Sequence, residues 1–287
     1  MDFTTPVTIP SPKVKLLPQD KLLFVGSCFA DNIGKRFVDN GFNAVVNPFG
    51  VMYNPVSVKH TLDKLYADND NLDSIPTIAL FTLGTNHVYR EISTGEIVDN
   101  CQKRPQKLFQ EEVMSVEDCT RILEEIVNHP FLSNCKQIIF TVSPIRYKKY
   151  GYHESQLSKA TLLLAIQNLL GEELPNSALC NQHSALNYFP AYEIVLDELR
   201  DYRFYAPDMI HPSEQAVDYI FERFREIYFS ESASLFYDEY QPIKQALNHK
   251  PFNPDSEEYK VFFENAKRKL NDFKAKWRIY PNVNSNV

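Results

Sequence analysis

Leu22-Leu23-Phe24-Val25-Gly26-Ser27-Cys28-Phe29-Ala30 is the stretch on which the fold turns. Leu22 to Val25 is a short, uninterrupted apolar run, which reads as a buried strand. After Gly26 the period changes: Phe29, Ile33 and Phe37 recur every fourth residue and share one helix face, and Asn40-Gly41 supplies the left-handed stop of a helix C-terminus. Ser27 therefore falls at a strand-to-helix turn. A hydroxyl there stands at the carboxyl edge of a sheet, where the first amides of the helix point free N–H groups at whatever it attacks. It serves either as an ordinary helix cap or as a nucleophile, and the second role needs partners from the rest of the chain.

Outward from this stretch the pattern repeats. Ala44-Val45-Val46 reads as a second strand ended by Asn47-Pro48-Phe49-Gly50, and 56–66 as a helix with Val58, Leu62 and Leu65 on one face. Residues 77–83 form a third strand closed by Gly84. Residues 86–114 are polar and irregular, a length of loop that in compact domains tends to be functional. Ser115-Val116-Glu117-Asp118 has capping-box spacing and opens a helix through Val127. A fourth strand is expected over 137–142, a helix over 156–170, a short strand over 186–189, and helices over 191–199 and 213–229. Strands alternating with helices at this spacing imply an α/β fold: a three-layer α/β/α sandwich around a parallel sheet. Beyond residue 231 no strand pattern remains, and 257–277 reads as a charged amphipathic helix with Tyr259, Phe262, Phe263, Ala266, Leu270 and Phe273 on its apolar side, expected to dock on the core or on a partner. The expected division is 1–230 for the α/β domain and 231–287 for a helical C-terminal extension.

Composition narrows the function classes. The 287 residues suffice for a sizeable core, and 44% hydrophobic with 23% charged residues is ordinary for a soluble globular protein. A net charge of −7, without clustered Lys and Arg, speaks against nucleic acid and anionic membrane as partners. The N-terminal segment Met1-Asp2-Phe3-Thr4-Thr5-Pro6 has neither a basic nor an apolar signal region, and no run approaches a membrane span, so a cytoplasmic location is expected. The scattered Cys28, Cys101, Cys119, Cys135 and Cys180 lack CxxC spacing, which argues against a disulfide framework or a zinc site. They are expected reduced and mostly buried.

A hydroxyl nucleophile needs a base, and the base needs a group that fixes its tautomer. His211 is the best-placed histidine: Asp208-Met209-Ile210-His211-Pro212 puts an acid three residues before it, on the same side of one turn, just ahead of a helix. Arg146, just past the fourth strand, lies at the carboxyl edge where open α/β sheets bind ligands and could clamp a carboxylate or phosphate of substrate. His87, after the third strand, is a second substrate-binding candidate. No set of His and carboxylates has metal-ligand spacing, and no cofactor is expected.

Gly26-Ser27-Cys28-Phe29-Ala30 resembles the signature of the GSCFA domain family, itself similar to the SGNH/GDSL hydrolases. The resemblance continues through Asn47 to Pro55, Leu83-Gly84-Thr85, Thr141 to Arg146, Ser158-Lys159-Ala160, Tyr188 to Glu193 and Asp197 to Tyr205, and ends at Asp208 to Ser213, spanning roughly residues 22–230. It implies an SGNH or flavodoxin-like sheet and serine acyl transfer on an O-acyl ester. Ser27 would be the nucleophile, His211 the base and Asp208 its orienting acid; the Ser27 amide, Gly50 and Asn86 would face the oxyanion. Gly-Ser-Cys stands where Gly-Asp-Ser is usual, so Cys28 is the alternative nucleophile. The substrate is expected to be a small-molecule or saccharide ester, with acetyl preferred. Transfer to a sugar hydroxyl and non-catalytic binding of a glycan or acyl ligand are the alternatives.

Overall fold

The computed structural model describes residues 4–68, 75–99, 101, 104–171 and 185–278. In chain order the elements are β1 (Leu22–Gly26), α1 (Cys28–Asp39), β2 (Ala44–Val46), α2 (Pro55–Ala67), β3 (Ile78–Leu83), β4 (His87–Glu91), β5 (Ile97–Val98), β6 (Phe109–Val113), α3 (Val116–Val127), β7 (Gln137–Val142), α4 (Tyr152–Leu170), β8 (Ala185–Tyr188), α5 (Ala191–Glu193), α6 (Glu214–Tyr228), α7 (Glu231–Leu247) and α8 (Glu257–Trp277). A π-helical turn, Ile194–Leu199, prolongs α5.

The main sheet has the order β2-β1-β3-β7-β8, and all of its pairings are parallel. Alternate strand residues feed two separate apolar clusters. Leu22, Phe24, Ile78, Leu80 and Ile139 pack with Phe29, Ile33 and Phe37 of α1 and with Val217, Ile220, Phe221 and Phe224 of α6. Leu23, Val25, Ala79, Phe81, Ile138 and Phe140 pack instead with Val58 and Leu62 of α2, Leu123 and Ile126 of α3, and Leu162 and Ile166 of α4. This two-sided burial explains the uninterrupted apolar strands, and it gives the three-layer sandwich expected from the sequence.

The C-terminal helices join the first of these layers. Phe236 of α7 lies 4.8 Å from Phe42 and 4.8 Å from Phe273 of α8, ring centre to ring centre. On α8 only Ala266 and Phe273 are buried, so less of its apolar stripe is covered than its pattern implies. Trp277 closes the helix, its ring 5.4 Å from Phe236 and its indole N–H donating to Glu239.

The expected irregular loop over 86–114 is instead a second, antiparallel three-stranded sheet of order β5-β4-β6. Glu91 and Glu96 close its hairpin around Gly95, which adopts φ +73°. Helix α4 begins at Tyr152, four residues ahead of the sequence expectation, after Gly151 at φ +80°. The expectation that all five cysteines are reduced and mostly buried reaches Cys28, Cys101, Cys119 and Cys135, which carry free thiols, Cys28 and Cys101 half-exposed; Cys180 lies outside the described residues.

Candidate active site

Three loop clusters converge at the carboxyl ends of β1, β3 and β7. The first is the β1–α1 turn. Gly26 adopts φ +147°, and a Cβ there would collide with the Thr82 carbonyl, so the residue that ends β1 must be glycine. The turn is pinned by Asn47, which accepts from the Gly26 amide at 2.8 Å and donates to Asp31 of α1 at 2.6 Å.

Ser27 is fully buried. Its amide donates to the Thr82 carbonyl at 3.0 Å, extending the β1–β3 ladder by one bond. Its Oγ is shared between Thr82 Oγ1 at 3.1 Å and the Phe29 amide at 3.2 Å, the second being an N-cap bond for α1. Cys28, the first residue of α1, is half-buried, and its sulfur lies against its own amide. Burial pushes this thiol above its ordinary value, helped by the charges of Asp31 and Asp208 and opposed by its own amide and by Lys159.

The second cluster is the loop before α6. His211 Nδ1 and Asp208 Oδ2 are 2.6 Å apart, and Asp208 Oδ1 also accepts from the Ile210 and His211 amides. The His211 ring, followed by those two amides, lowers the Asp208 carboxyl to about 2. With Nδ1 engaged by the carboxylate, Nε2 is the nitrogen left for a proton. The pair brought together by sequence spacing is therefore a pair in space. Arg146 locks the loop to the end of β7: its amide donates to Ile210 O at 3.1 Å and its guanidinium to Met209 O at 2.9 Å. The guanidinium also lies 4.3 Å from the Tyr152 ring centre and 5.3 Å from that of Tyr205. Arg146 thus stands where expected, with its side chain engaged in holding the Asp208–His211 loop.

The third cluster follows β3. Asn86 donates its side-chain amide to Met114 O at 2.7 Å and its backbone amide to Ser158 Oγ at 3.0 Å, while its Oδ1 is buried with no partner. His87 pairs with Glu111 at 2.7 Å and stacks on Tyr150 at 3.9 Å. Gly50, in an exposed turn at φ +89°, donates its amide to Asn47 O at 2.8 Å. The expected oxyanion donors, Ser27, Gly50 and Asn86, therefore each have a hydrogen bond inside the protein.

Sequence reasoning passed over a buried residue beneath these loops. Lys159 of α4 is buried, and its ammonium donates at 2.7 Å to both Gly84 O and Ser143 O, the residues that follow β3 and β7. It lies 5.2 Å from the ring centre of Tyr147. Burial draws its pKa down to about 7. Tyr147 meets Tyr53 edge-to-face at 5.8 Å, and its hydroxyl is buried without a hydrogen-bond partner. A lysine within the stripe Ser155, Ser158, Lys159, Leu162 and Ile166 was the signal available in the sequence.

Among the described residues no group of three or more His, Cys, Asp and Glu could hold a metal ion, and no helix is long and apolar enough to cross a membrane. No curated protein matches the chain. Among solved structures it is similar to a catalytic mutant of an acetylxylan esterase from Geobacillus stearothermophilus, at 14% identity over 76% of this chain and 98% of that one, with a TM-score of 0.42. A trans-2-enoyl-CoA reductase from Clostridium acetobutulicum in complex with NADH aligns at 14% identity over 92% of this chain and 78% of that one, with a TM-score of 0.33. At these levels nothing about activity follows from either. The C-terminal domain of GSCFA domain proteins matches residues 240–285. The GSCFA family itself matches residues 21–75 and 74–224, the segments that build the sheet and all three loop clusters, and the chain belongs to that family.

Proposed function

We propose that this protein hydrolyses O-acyl esters of short acids, acetyl foremost, through an acyl-enzyme formed at the β1–α1 turn. The observation that carries the reading is the 2.6 Å His211–Asp208 pair, tied by Arg146 to the carboxyl edge of the sheet where that turn also ends. The carboxylate holds the imidazole in the tautomer that leaves Nε2 free to take a proton from the nucleophile and return it to the leaving alcohol. Ser27, the nucleophile implied by the resemblance, would have to release Thr82 Oγ1 and turn out of the core to attack.

Tyr53, Tyr147, Tyr150, Tyr152 and Tyr205 surround this edge, and rings with one polar tip suit an alcohol portion such as a sugar. A long acyl chain needs an apolar groove worth ~0.8 kcal/mol per buried CH₂, which a tyrosine-rimmed cleft does not offer. The test compares kcat/KM for p-nitrophenyl acetate and p-nitrophenyl octanoate, with acetylated sugars alongside. Acetate is expected to be the better substrate. Asp208→Asn is expected to lower kcat by about 1,000-fold or more, because the amide no longer selects the tautomer. Octanoate as the better substrate would refute the pocket, and an undiminished Asp208→Asn variant would refute the relay.

A further inference from the structure

We propose that the attacking atom is the Cys28 sulfur, with the Cys28 amide and the Tyr147 hydroxyl as donors to the carbonyl oxygen; the inference rests on the ester-cleaving reading above. It comes first from where the hydrogen bonds of the turn go. The strand ladder does not stop at Gly26: the Ser27 amide still pairs with Thr82, and the Ser27 hydroxyl is used within the core by Thr82 and the Phe29 amide. The next backbone amide, that of Cys28, is the first to face away from the ladder, and it meets the Cys28 sulfur. A nucleophile at a strand-to-helix turn needs a side chain that solvent can reach and an amide outside the ladder, and the half-exposed Cys28 meets both one residue later than the buried Ser27.

The second observation is independent of the cysteine. The Tyr147 hydroxyl is buried with no hydrogen-bond partner, a costly state unless something else accepts from it. It sits over Gly84, where a built Cβ would lie 2.6 Å from its oxygen, and beside Tyr53. Beneath it the Lys159 ammonium is clamped to the Gly84 and Ser143 carbonyls. Lys159, Asp208 and Asp31 act on the Cys28 thiol, and the thiol in turn acts on Tyr53 and Tyr147. The orphaned donor and the buried cation thus stand side by side at Gly84, within electrostatic reach of the sulfur.

The chemistry balances with water as the co-reactant. His211 Nε2 removes the thiol proton as Sγ bonds to the ester carbon, and the carbonyl electron pair moves onto oxygen. Collapse restores the carbonyl and breaks the bond to the alcohol oxygen, which leaves with the proton from His211. Water then attacks the thioester, passing a proton to His211. The acid departs as the carbon–sulfur bond breaks, and Sγ recovers the proton. Because burial keeps the resting thiol protonated, His211 is needed for the first step.

The experiment uses the full chain. Wild type, Ser27→Ala, Cys28→Ala, Cys28→Ser and His211→Ala are incubated with p-nitrophenyl acetate, quenched in acid and mapped by mass spectrometry. In parallel the alkylation rates of Cys28 and Cys101 by iodoacetamide are followed across pH. The proposal expects acetyl on Cys28, released by neutral hydroxylamine as thioesters are. It expects kcat to fall at least ~1,000-fold in Cys28→Ala, and the acetyl group still to map to Cys28 in Ser27→Ala. It also expects Cys28 to alkylate faster than Cys101 near neutrality, by a margin lost in His211→Ala. Acetyl on Ser27, or full turnover by Cys28→Ala, would overturn the sulfur and leave the ester reading standing. Fast, His211-dependent alkylation in a protein that cleaves none of the esters would sink the ester reading and keep the sulfur as the nucleophile. Should Cys28→Ala not fold, Cys28→Ser and the wild-type acetyl map decide between the same outcomes.

Discussion

Lys159 exchanges the hydration of an ammonium for two main-chain carbonyls, and among the described residues no carboxylate forms an ion pair with it. Its folded pKa, about 7, lies below the ~10.4 of a lysine in the unfolded chain. The unfolded state therefore binds more protons between those values. The stability contributed is full above the unfolded value and is lost as pH falls through about 7. Urea unfolding should accordingly give a higher midpoint at pH ~9 than at pH ~7, and Lys159→Met should flatten that rise. A midpoint that falls over this interval in wild type and not in the variant would refute the argument. Ser27 makes the complementary case: as an N-cap its loss in Ser27→Ala should cost about 1 kcal/mol in the same assay, whatever its part in chemistry. Arg146, bonded to Met209 O, should act on kcat when changed to Ala, through the His211 loop, more than on KM for anionic esters. The Asp208–His211 pair was legible because its members lie three residues apart, whereas the Lys159–Tyr147–Cys28 cluster joins α4, the segment after β7 and α1 and has no local spacing to read.

At the scale of elements, legibility followed burial. The main strands are covered on both faces, so their apolar runs announced themselves, and α1 was fixed by Phe29, Ile33 and Phe37 together with its cap. Phe37 is the hub of that layer, with ring centres of Phe24, Phe42, Phe221, Phe224 and Phe229 between 5.0 and 5.8 Å away. Phe37→Ala should cost ~3–5 kcal/mol in denaturant unfolding, the range for emptying an aromatic site in a core that cannot collapse. The small sheet β4–β6 escaped notice because Gln110, Glu111 and Val113 of β6 face solvent or a rim, and alternation over so few residues is faint. Val88 joins it to the second apolar cluster, and the rest of its fastening is polar: the Tyr89 and Tyr150 hydroxyls meet at 2.9 Å, Lys149 also bonds the Tyr89 hydroxyl, and His87 stacks on Tyr150. Tyr150→Ala should therefore speed amide exchange across His87–Glu91 and leave exchange in β1 and β3 unchanged. Slowed or unaltered exchange in β4 would show that the sheet stands by itself.

For the whole molecule, strand and helix alternation gave the parallel sandwich, whereas the order β2-β1-β3-β7-β8 was not legible, because no local spacing says which strands pair. The apolar side of α8 announced docking on the core or on a partner without choosing between them, and α7, with Pro242 inside a mixed pattern, was not legible. We propose that residues 231–287 act as a helical extension of the α/β domain, and Phe236, Ile243 and Phe273 show where it joins the core.

Trp277 is the chain's single tryptophan, and it stands on that extension, against Phe236 and hydrogen-bonded to Glu239. Its emission is thus a private optical channel from the far end of the polypeptide. Excitation that also reaches tyrosine reads Tyr53, Tyr147 and Tyr150 at the candidate site as well, whereas the indole, excited selectively, reports on this extension. A red shift in that signal will time the undocking of α8, separately from the loss of ellipticity that records the melting of the sheet and its helices.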